Sequence, residues 1–264
     1  MGSGGDLGKR SSPDHPGPEA LSREWDALVL LLTWAAGSVD AISYLGLGHV
    51  FTANMTGNTV LLGLALGQRQ GLAALRSMIA LAGFAGGAAM GALVVERGPK
   101  QAGWPPGVTR AVLLEGVILL IFTITWSIPA AAQSARLVYA LIALSALAMG
   151  IQSAAIRHLN VPGVATTYIT GTLTSMVAGL VGWVGSADLL VAAARSKGST
   201  VAPVPASSRK KQTIRLQAAV FLVYGLAAVA SGIVETRGSS LASLSPLTAV
   251  AFVVIFASLR HRHR

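Results

Sequence analysis

The sequence contains no cysteine and few charged residues, and each absence excludes a class of protein. Without cysteine there is no disulfide and no thiol chemistry, although this says nothing about the compartment. Charged residues make up 11% of the 264 positions, whereas a typical soluble domain carries about 25%. A soluble helical core of this size would need a polar shell that 20 basic and 10 acidic side chains cannot supply. The composition therefore predicts a membrane protein.

Long apolar segments are what the sequence has instead of charge. The mean hydropathy is +0.63, and eight segments of roughly 18 to 25 residues are long enough to cross a hydrocarbon core of about 30 Å. They predict an all-α fold, a polytopic transmembrane helical bundle that forms a single domain over residues 25–264. Residues 1–24 are rich in Gly, Pro and Ser and are predicted to form a disordered cytoplasmic tail. The segments are 27–47, 50–67, 72–95, 110–128, 137–156, 165–184, 216–234 and 241–259.

The chain is strongly basic, with a net charge of +10 and a pI of about 10.9. In a soluble protein this charge would suggest nucleic acid as a partner, but here the basic residues cluster between apolar segments. We therefore expect them to set the topology and to contact anionic lipid, and no nucleic acid is expected as a partner. The long connection 186–215 is predicted to begin as a helix extension and to continue as a basic cytoplasmic linker.

The two halves of the chain, about 27–128 and 137–259, resemble each other weakly. Each consists of one apolar segment, a polar Thr-Gly segment and two further apolar segments. The matched positions are Thr56-Gly57-Asn58 with Thr170-Gly171-Thr172, and Thr52-Ala53 with Thr166-Thr167. Internal duplication is common among transporters, in which the broken segments of the two halves meet near mid-membrane. The pattern predicts two related halves.

Counts of basic residues leave two topologies open. If all eight segments cross and the N-terminus is cytoplasmic, 15 of the 20 basic residues lie inside and 5 outside. If the two Thr-Gly segments are re-entrant and only six helices cross, the counts become 16 and 4, and the halves become inverted repeats. The apolar length of the sixth segment favours eight crossings. Both topologies keep the two termini and the 186–215 connection in the cytoplasm.

An acidic residue and a polar run lie at membrane depth. Asp40 stands about two-thirds of the way along the first segment, where an ionisable side chain costs about 2.5 to 3.5 kcal/mol on insertion scales. It is therefore expected to face the bundle interior or a wet cavity, on the same helix face as Tyr44. Asn54 and Asn58 share a face of the second segment, and Gly57 is expected to let the chain unwind there. The run is predicted to begin a broken helix whose N–H groups and side-chain amides face Asp40.

These residues form a candidate site for a small solute, a cation or a proton. Its predicted members are Asp40, Tyr44, Asn54, Thr56, Gly57, Asn58, Thr170 and Gly171. The alternative is that Asp40 is a buried residue hydrogen-bonded to Thr or Asn neighbours, which fixes helix packing without any ligand. Gln152 and Ser153 stand at its place in the second half, so the carboxylate is not duplicated.

Three glycines of the third segment, Gly83, Gly87 and Gly91, fall on one helix face at i, i+4 and i+8. Small residues at this spacing let two helix backbones approach closely. The face is predicted to pack a helix, either within the same bundle or against a second copy of the chain.

The remaining polar and aromatic residues give weaker signals. None of the five histidines forms a metal cluster, and neither a phosphate-binding loop nor a pair of catalytic acids is present, so no enzyme activity, metal or cofactor is expected. Glu115 stands five residues into its segment, and one interpretation places it at the membrane interface, paired with Arg110. Trp25, Trp104 and Trp183 lie near segment ends, where aromatic belts occur.

The stretch "WAAGSVDAISYLGLGHVFTANMTGNTVLLGLAL" carries a specific pattern of ten residues. They are Gly37, Asp40, Ala41, Tyr44, Phe51, Met55, Thr56, Gly57, Asn58 and Thr59. In this pattern the chain resembles the YoaK-like family of bacterial integral membrane proteins, domain-of-unknown-function family 1275, over about residues 27–260. The resemblance implies a multi-pass protein of the cell inner membrane with six or so spans, and it brings no substrate.

Two functions are compatible with these observations. The first is a small secondary carrier or channel whose site is lined by the polar run, with Asp40 binding a cation or a proton. The alternative is a non-transporting scaffold that uses the glycine face for partners and the polar run only for packing. A membrane-embedded enzyme is disfavoured because a second catalytic group is missing.

Overall fold

The computed structural model of the protein describes residues 18–97, 104–128, 134–159, 165–167, 169–195, 206–237 and 240–262. These residues contain no β-strand, which confirms the predicted all-α class. The helices among them are α1 (Pro18–Gly46), α2 (Met55–Gly67), α3 (Gly71–Glu96), α4 (Pro106–Trp126), α5 (Ala135–His158), α6 (Ile169–Arg195), α7 (Ala206–Thr236) and α8 (Leu244–Arg262). A short 3-10 helix, Ser240–Ser243, precedes α8.

Within the described residues, six helices are long and apolar enough to cross a membrane. Their candidate spans are Glu24–Gly46, Gly71–Glu96, Pro106–Trp126, Ala135–His158, Lys211–Thr236 and Leu241–His261. Helix α2 has only 13 residues, which at about 1.5 Å per residue gives about 20 Å of the roughly 30 Å needed. The structure therefore favours six crossings over the eight expected from segment lengths. The second segment falls short because its first residues form an irregular loop and become helical only at Met55.

The helix contacts come in matching sets when α1–α4 is compared with α5–α8. Helix α1 packs along α7, and α5 packs along α3. Helix α2 lies against α3, as α6 lies against α7. Helix α4 contacts α5, α8 contacts α1, and α4 and α8 contact each other. The first helix of each set of four is thus held against the third helix of the other set.

The glycine face of α3 packs against α5 inside the bundle. A β-carbon added to Gly87 would collide with the carbonyl oxygen of Leu147, and one added to Gly91 would lie 2.9 Å from Ile151 Cα. At Gly83 the nearest atom would be Ala143 O, at 3.1 Å. The predicted packing role of this face is confirmed, and its partner is a helix of the same chain. The face is therefore not free for a second copy.

Two stretches predicted to be irregular are partly helical. Helix α1 begins at Pro18, within the predicted tail, since proline suits the first helical turn, where its missing N–H needs no partner. Residues 1–17 lie outside the described residues. In the predicted linker, α6 extends to Arg195 as expected, but α7 already begins at Ala206, and the basic run is helical. Lys, Arg and Gln are good helix formers, which explains the early start.

Trp104 belongs to the interior and not to an aromatic belt. It is 1% exposed, and its ring stacks on that of Trp25 with the centroids 5.7 Å apart. Its indole Nε1–H donates to Thr109 Oγ1 at 3.0 Å. On the same side of the bundle Arg260 forms an ion pair with Glu24, at 2.7 Å. These contacts join the first turns of the described chain to its last helix.

Candidate functional site

The carboxylate of Asp40 holds the loop that precedes α2. Asp40 Oδ1 accepts hydrogen bonds from the backbone N–H groups of Thr52, at 2.9 Å, and Ala53, at 2.7 Å. A longer bond of 3.4 Å comes from the N–H of Asn54. Asp40 is 3% exposed, so it is shielded from solvent as predicted. The prediction that the N–H groups of the polar run face this carboxylate is confirmed.

The second carboxylate oxygen is bound by a residue that the sequence analysis missed. Asp40 Oδ2 accepts a hydrogen bond from the hydroxyl group of Tyr224, on α7. Helix α7 comes this close because Gly37 has no side chain; a β-carbon there would lie 2.5 Å from Tyr224 O. A tyrosine inside an apolar segment is the signal that could have found it, since a buried tyrosine hydroxyl usually has a partner. Both oxygens of Asp40 therefore meet donors from the protein.

The chain reverses at a turn between α1 and the loop, and Gly57 does not contribute to it. Gly48 and His49 have φ of 85° and 62°, in the left-handed region that favours glycine. Gly57 lies in the first turn of α2, where its N–H donates to the capping Asn54 Oδ1 at 3.1 Å. A β-carbon at Gly57 would lie 2.9 Å from Phe51 Cδ2. The expected unwinding at Gly57 is wrong, because this glycine makes room for an aromatic ring.

Asn58 closes the loop on itself. Its Oδ1 accepts from Phe51 N at 3.0 Å, and its Nδ2 donates to Phe51 O. The side-chain amides of Asn54 and Asn58 thus serve the backbone of their own loop, contrary to the prediction that they face Asp40. Tyr44 packs on the same loop, with its ring stacked on Phe51 at a centroid distance of 5.0 Å.

Residues 165–167, before α6, make contacts similar to those of the first loop. Thr172 Oγ1 accepts from Ala165 N at 3.2 Å and donates to Ala165 O at 3.3 Å. The two residues are seven apart, like Asn58 and Phe51 in the first loop. Thr167 Oγ1 donates to Ser153 Oγ at 3.1 Å, and Ser153 stands where Asp40 stands in the first half. A hydroxyl group here takes the place of the carboxylate.

Gln152 adds a second contact between α5 and this loop. Its Nε2 donates to Thr166 Oγ1, at 2.8 Å, and to Leu32 O, at 3.0 Å. Gln152 is fully buried, yet its Oε1 has no hydrogen-bond partner among the described residues. The amide therefore links α1, α5 and the second loop and leaves one acceptor unused.

The predicted site residues fall into two separate groups. Asp40, Tyr44, Asn54, Gly57 and Asn58 surround the first loop, whereas Thr170 and Gly171 belong to the start of α6. Helix α2 rests on α3, and α6 rests on α7.

Within these groups, Thr56 and Thr170 are exposed on the surface of the chain and do not point at the carboxylate. In each loop the inward residue stands two positions further on. Those residues, Asn58 and Thr172, are 0% and 1% exposed.

Glu115 lies elsewhere than predicted. It is fully buried in α4, and neither of its carboxyl oxygens has a hydrogen-bond partner among the residues that the structure describes. Arg110 is exposed, and the ion pair found in the described residues joins other side chains. The expected interfacial pair is therefore wrong, because α4 begins four residues earlier than the apolar segment suggested and carries Glu115 deeper into the bundle.

Fold and site together define a multi-pass helical membrane protein in which the loop before α2 is held by a carboxylate and residues before α6 are held by a hydroxyl group. The family described as "Protein of unknown function (DUF1275)" matches residues 28–259, and the chain belongs to this family. The chain is also 43% identical over 152 residues to the UPF0700 transmembrane protein YoaK of Bacillus subtilis (strain 168). The match covers 58% of this chain and 65% of that protein, slightly less than two thirds of its length. No solved structure matches the chain.

Proposed function

We propose that the protein is a small secondary carrier or channel of the cell membrane. The observation that supports this is the pair α2 and α6, whose apolar parts, Met55–Gly67 and Ile169–Trp183, are shorter than the six candidate spans. Each follows residues that a side chain of the preceding helix holds in place. Irregular backbone at membrane depth is stable only where it is buried in protein or lines a cavity. In transporter folds such broken segments recur in both halves and form the solute and ion site.

The proposed architecture is two inverted halves with six crossings. The matching helix contacts support the internal repeat, because the α3–α5, α4–α5 and α2–α3 contacts have counterparts in α1–α7, α1–α8 and α6–α7. The contact between α3 and α4 is the exception. With the N-terminus inside, three crossings per half make the second half the inverse of the first. This orientation leaves 16 basic residues inside and 4 outside. Both termini and the basic start of α7 are then cytoplasmic, where anionic lipid is the expected partner.

Asp40 is proposed to hold the loop before α2 in position beside the route that the solute takes. A carboxylate has about four lone-pair sites, and those of Asp40 face three backbone N–H groups and the hydroxyl of Tyr224. In this conformation the carboxylate therefore acts on a passing solute through the loop that it holds. Direct binding of a cation by Asp40 requires one of these bonds to open, which couples ion binding to movement of α7 or of the loop.

The surface that the scaffold alternative assigned to partners is not free. The glycine face that it would use for partners is occupied by α5. A measurement of solute uptake therefore distinguishes a carrier or channel from a scaffold. A scaffold transports nothing and tolerates the loss of charge at Asp40.

The test is uptake by the purified full chain in proteoliposomes. The panel contains monovalent cations, organic cations, amino acids, sugars and nucleosides, each measured with and without a proton gradient. Asp40→Asn keeps the shape and removes the charge. Thr248→Val is its control, because Thr248 is exposed on α8 and its hydroxyl donates only to Ser245 O of the same helix. We expect uptake of one class of solute, which falls in Asp40→Asn and persists in the control. Absence of uptake across the panel by folded protein would reject the proposal.

A further inference from the structure

Glu115 is a buried acid that takes no part in the hydrogen bonds of either loop. It lies nine residues after Pro106 and eleven before Trp126, the ends of α4. At about 1.5 Å per residue, it is about 14 Å from one end of the helix and about 16 Å from the other. The carboxyl group is therefore close to the middle of a membrane-crossing helix. It is 0% exposed, and its two oxygens lack hydrogen-bond partners among the described residues.

The helices packed against α4 bring no counter-charge to this position. Helix α4 lies against α3, α5, α8 and the short 3-10 helix Ser240–Ser243, which carries no charged residue. Their described charged and titratable side chains occupy the first two or the last two turns of each helix. They are Arg76 and Glu96 on α3, Arg136, Tyr139, Arg157 and His158 on α5, and Arg260 and His261 on α8. Arg110, on α4 itself, is exposed near the helix start.

A charged carboxylate in these surroundings is far more costly than a neutral carboxylic acid. The side chain therefore carries a proton in the conformation described here. As a neutral acid without hydrogen bonds, it stabilises nothing that an apolar side chain would not stabilise as well. An ionisable residue that costs free energy in the described conformation points to a use in another conformation, because acids inside membrane segments are functional-site candidates by default.

The position of Glu115 shows how that other state can form. Helices α4 and α8 are the last helices of the two halves, and they contact each other. The residue next to Glu115 is part of this contact, because a β-carbon at Gly116 would lie 3.3 Å from Val250 Cγ1. If one half rocks against the other, as in alternating access, the contact between α4 and α8 opens and water reaches the carboxyl group.

We propose that Glu115 is a proton-binding site at the boundary between the two halves, loaded in the closed conformation and emptied when the α4–α8 contact opens. On opening, the O–H bond breaks, the proton passes to water, and the carboxylate that remains binds a monovalent cation or the ammonium group of a solute. The coupling role rests on the proposed transport function. The exchange of a proton by Glu115 can be measured without any transport.

The first measurement is infrared difference spectroscopy of the full chain in lipid, stepped between roughly pH 5 and pH 9, which lies above the range of about pH 3 to 5 in which ordinary Asp and Glu side chains titrate. Glu115→Gln removes the proton and keeps the shape. Glu96→Gln is the matched control, since Glu96 is exposed at the end of α3. We expect a protonated-carboxyl band that changes with pH in the wild type and in the control and is absent in Glu115→Gln. A band unchanged in Glu115→Gln overturns the proposal.

The second measurement is uptake in proteoliposomes by the same variants. We expect gradient-driven uptake by Glu115→Gln to fall at least about tenfold, within the range typical of coupling between two sites, while exchange of solute across the membrane without a gradient persists. Unchanged gradient dependence in Glu115→Gln overturns the coupling role. If the wild type transports nothing, the proposed function fails, and the infrared result still decides proton binding. If Glu115→Gln does not fold, Glu115→Asp replaces it, and its band must shift.

Discussion

In the first half the loop before α2 rests on a carboxylate, whereas in the second half the loop before α6 rests on a hydroxyl group. Asp40 gathers three N–H groups of its loop, and Ser153 accepts one bond from Thr167. Hydrogen bonds to an ionised acceptor are roughly twice as strong as those between neutral groups. We therefore expect the contact between Asp40 and its loop to be stronger than the contact between Ser153 and Thr167.

The sharpest test of the inverted architecture asks on which side of the membrane the ends of α3 lie. In the inverted architecture a topology reporter fused after Arg69 is external, and one fused after Gln101 is cytoplasmic. Eight crossings would reverse both signals. Alkaline phosphatase and green fluorescent protein fusions give all-or-none signals of opposite kind, and matching signals from both sites contradict either topology.

Removal of the carboxylate is expected to have the largest effect on stability. In Asp40→Ala three backbone N–H groups and the hydroxyl of Tyr224 lose their acceptor, and each buried donor left unpaired costs about 1 to 3 kcal/mol. We expect the free energy of unfolding in detergent to fall by at least about 4 kcal/mol in total. Ser153→Ala, the matched change in the second half, is expected to cost about 1 kcal/mol. Equal losses would mean that the two loops are held equally.

The next pair of variants changes the residue that closes each loop. Asn58→Leu removes both bonds to the backbone of Phe51, and we expect a loss of about 2 to 4 kcal/mol in the same measurement. Thr172→Val removes the corresponding hydroxyl of the second loop, and about 1 kcal/mol is expected. A larger loss for Thr172→Val than for Asn58→Leu would reverse the order of stability of the loops.

Tyr224→Phe distinguishes the contribution of Asp40 Oδ2 from that of Oδ1. The loop keeps its bonds to Oδ1, and only the bond between α7 and Oδ2 is lost. We expect a loss of about 1 kcal/mol, measured by unfolding, with a greater effect on uptake if α7 moves with the loop. Tyr139→Phe is the control, since Tyr139 lies near the start of α5 and is not one of the donors to Asp40. Equal effects of the two variants would show that the Asp40 bond to α7 carries no particular weight.

The sequence was sufficient for some of these features and not for others. Asp40 could be found because a carboxylate in an apolar segment is rare, and the Thr-Gly pattern marked both loops. Tyr224 could not be paired with it, since the contact spans 184 positions of chain and depends on how α7 is rotated. The depth of Glu115 was underestimated because Pro105 and Pro106 look like loop residues, although Pro106 starts α4. Gly57 was misjudged because only the fold places the ring of Phe51 against it.

The smallest effect is expected at the two threonines that the sequence placed in the site. Thr56 and Thr170 are exposed, so Thr56→Val and Thr170→Val should each change the free energy of unfolding by less than about 0.5 kcal/mol. A larger loss at Thr56 would mean that α2 is rotated so that this residue, and not Asn58, faces inward. Measuring uptake by the same variants tests whether the hydroxyl of Thr56 contacts a solute. If uptake falls in Thr56→Val while stability does not, the hydroxyl contacts the solute, and the exposed side of α2 lines the path.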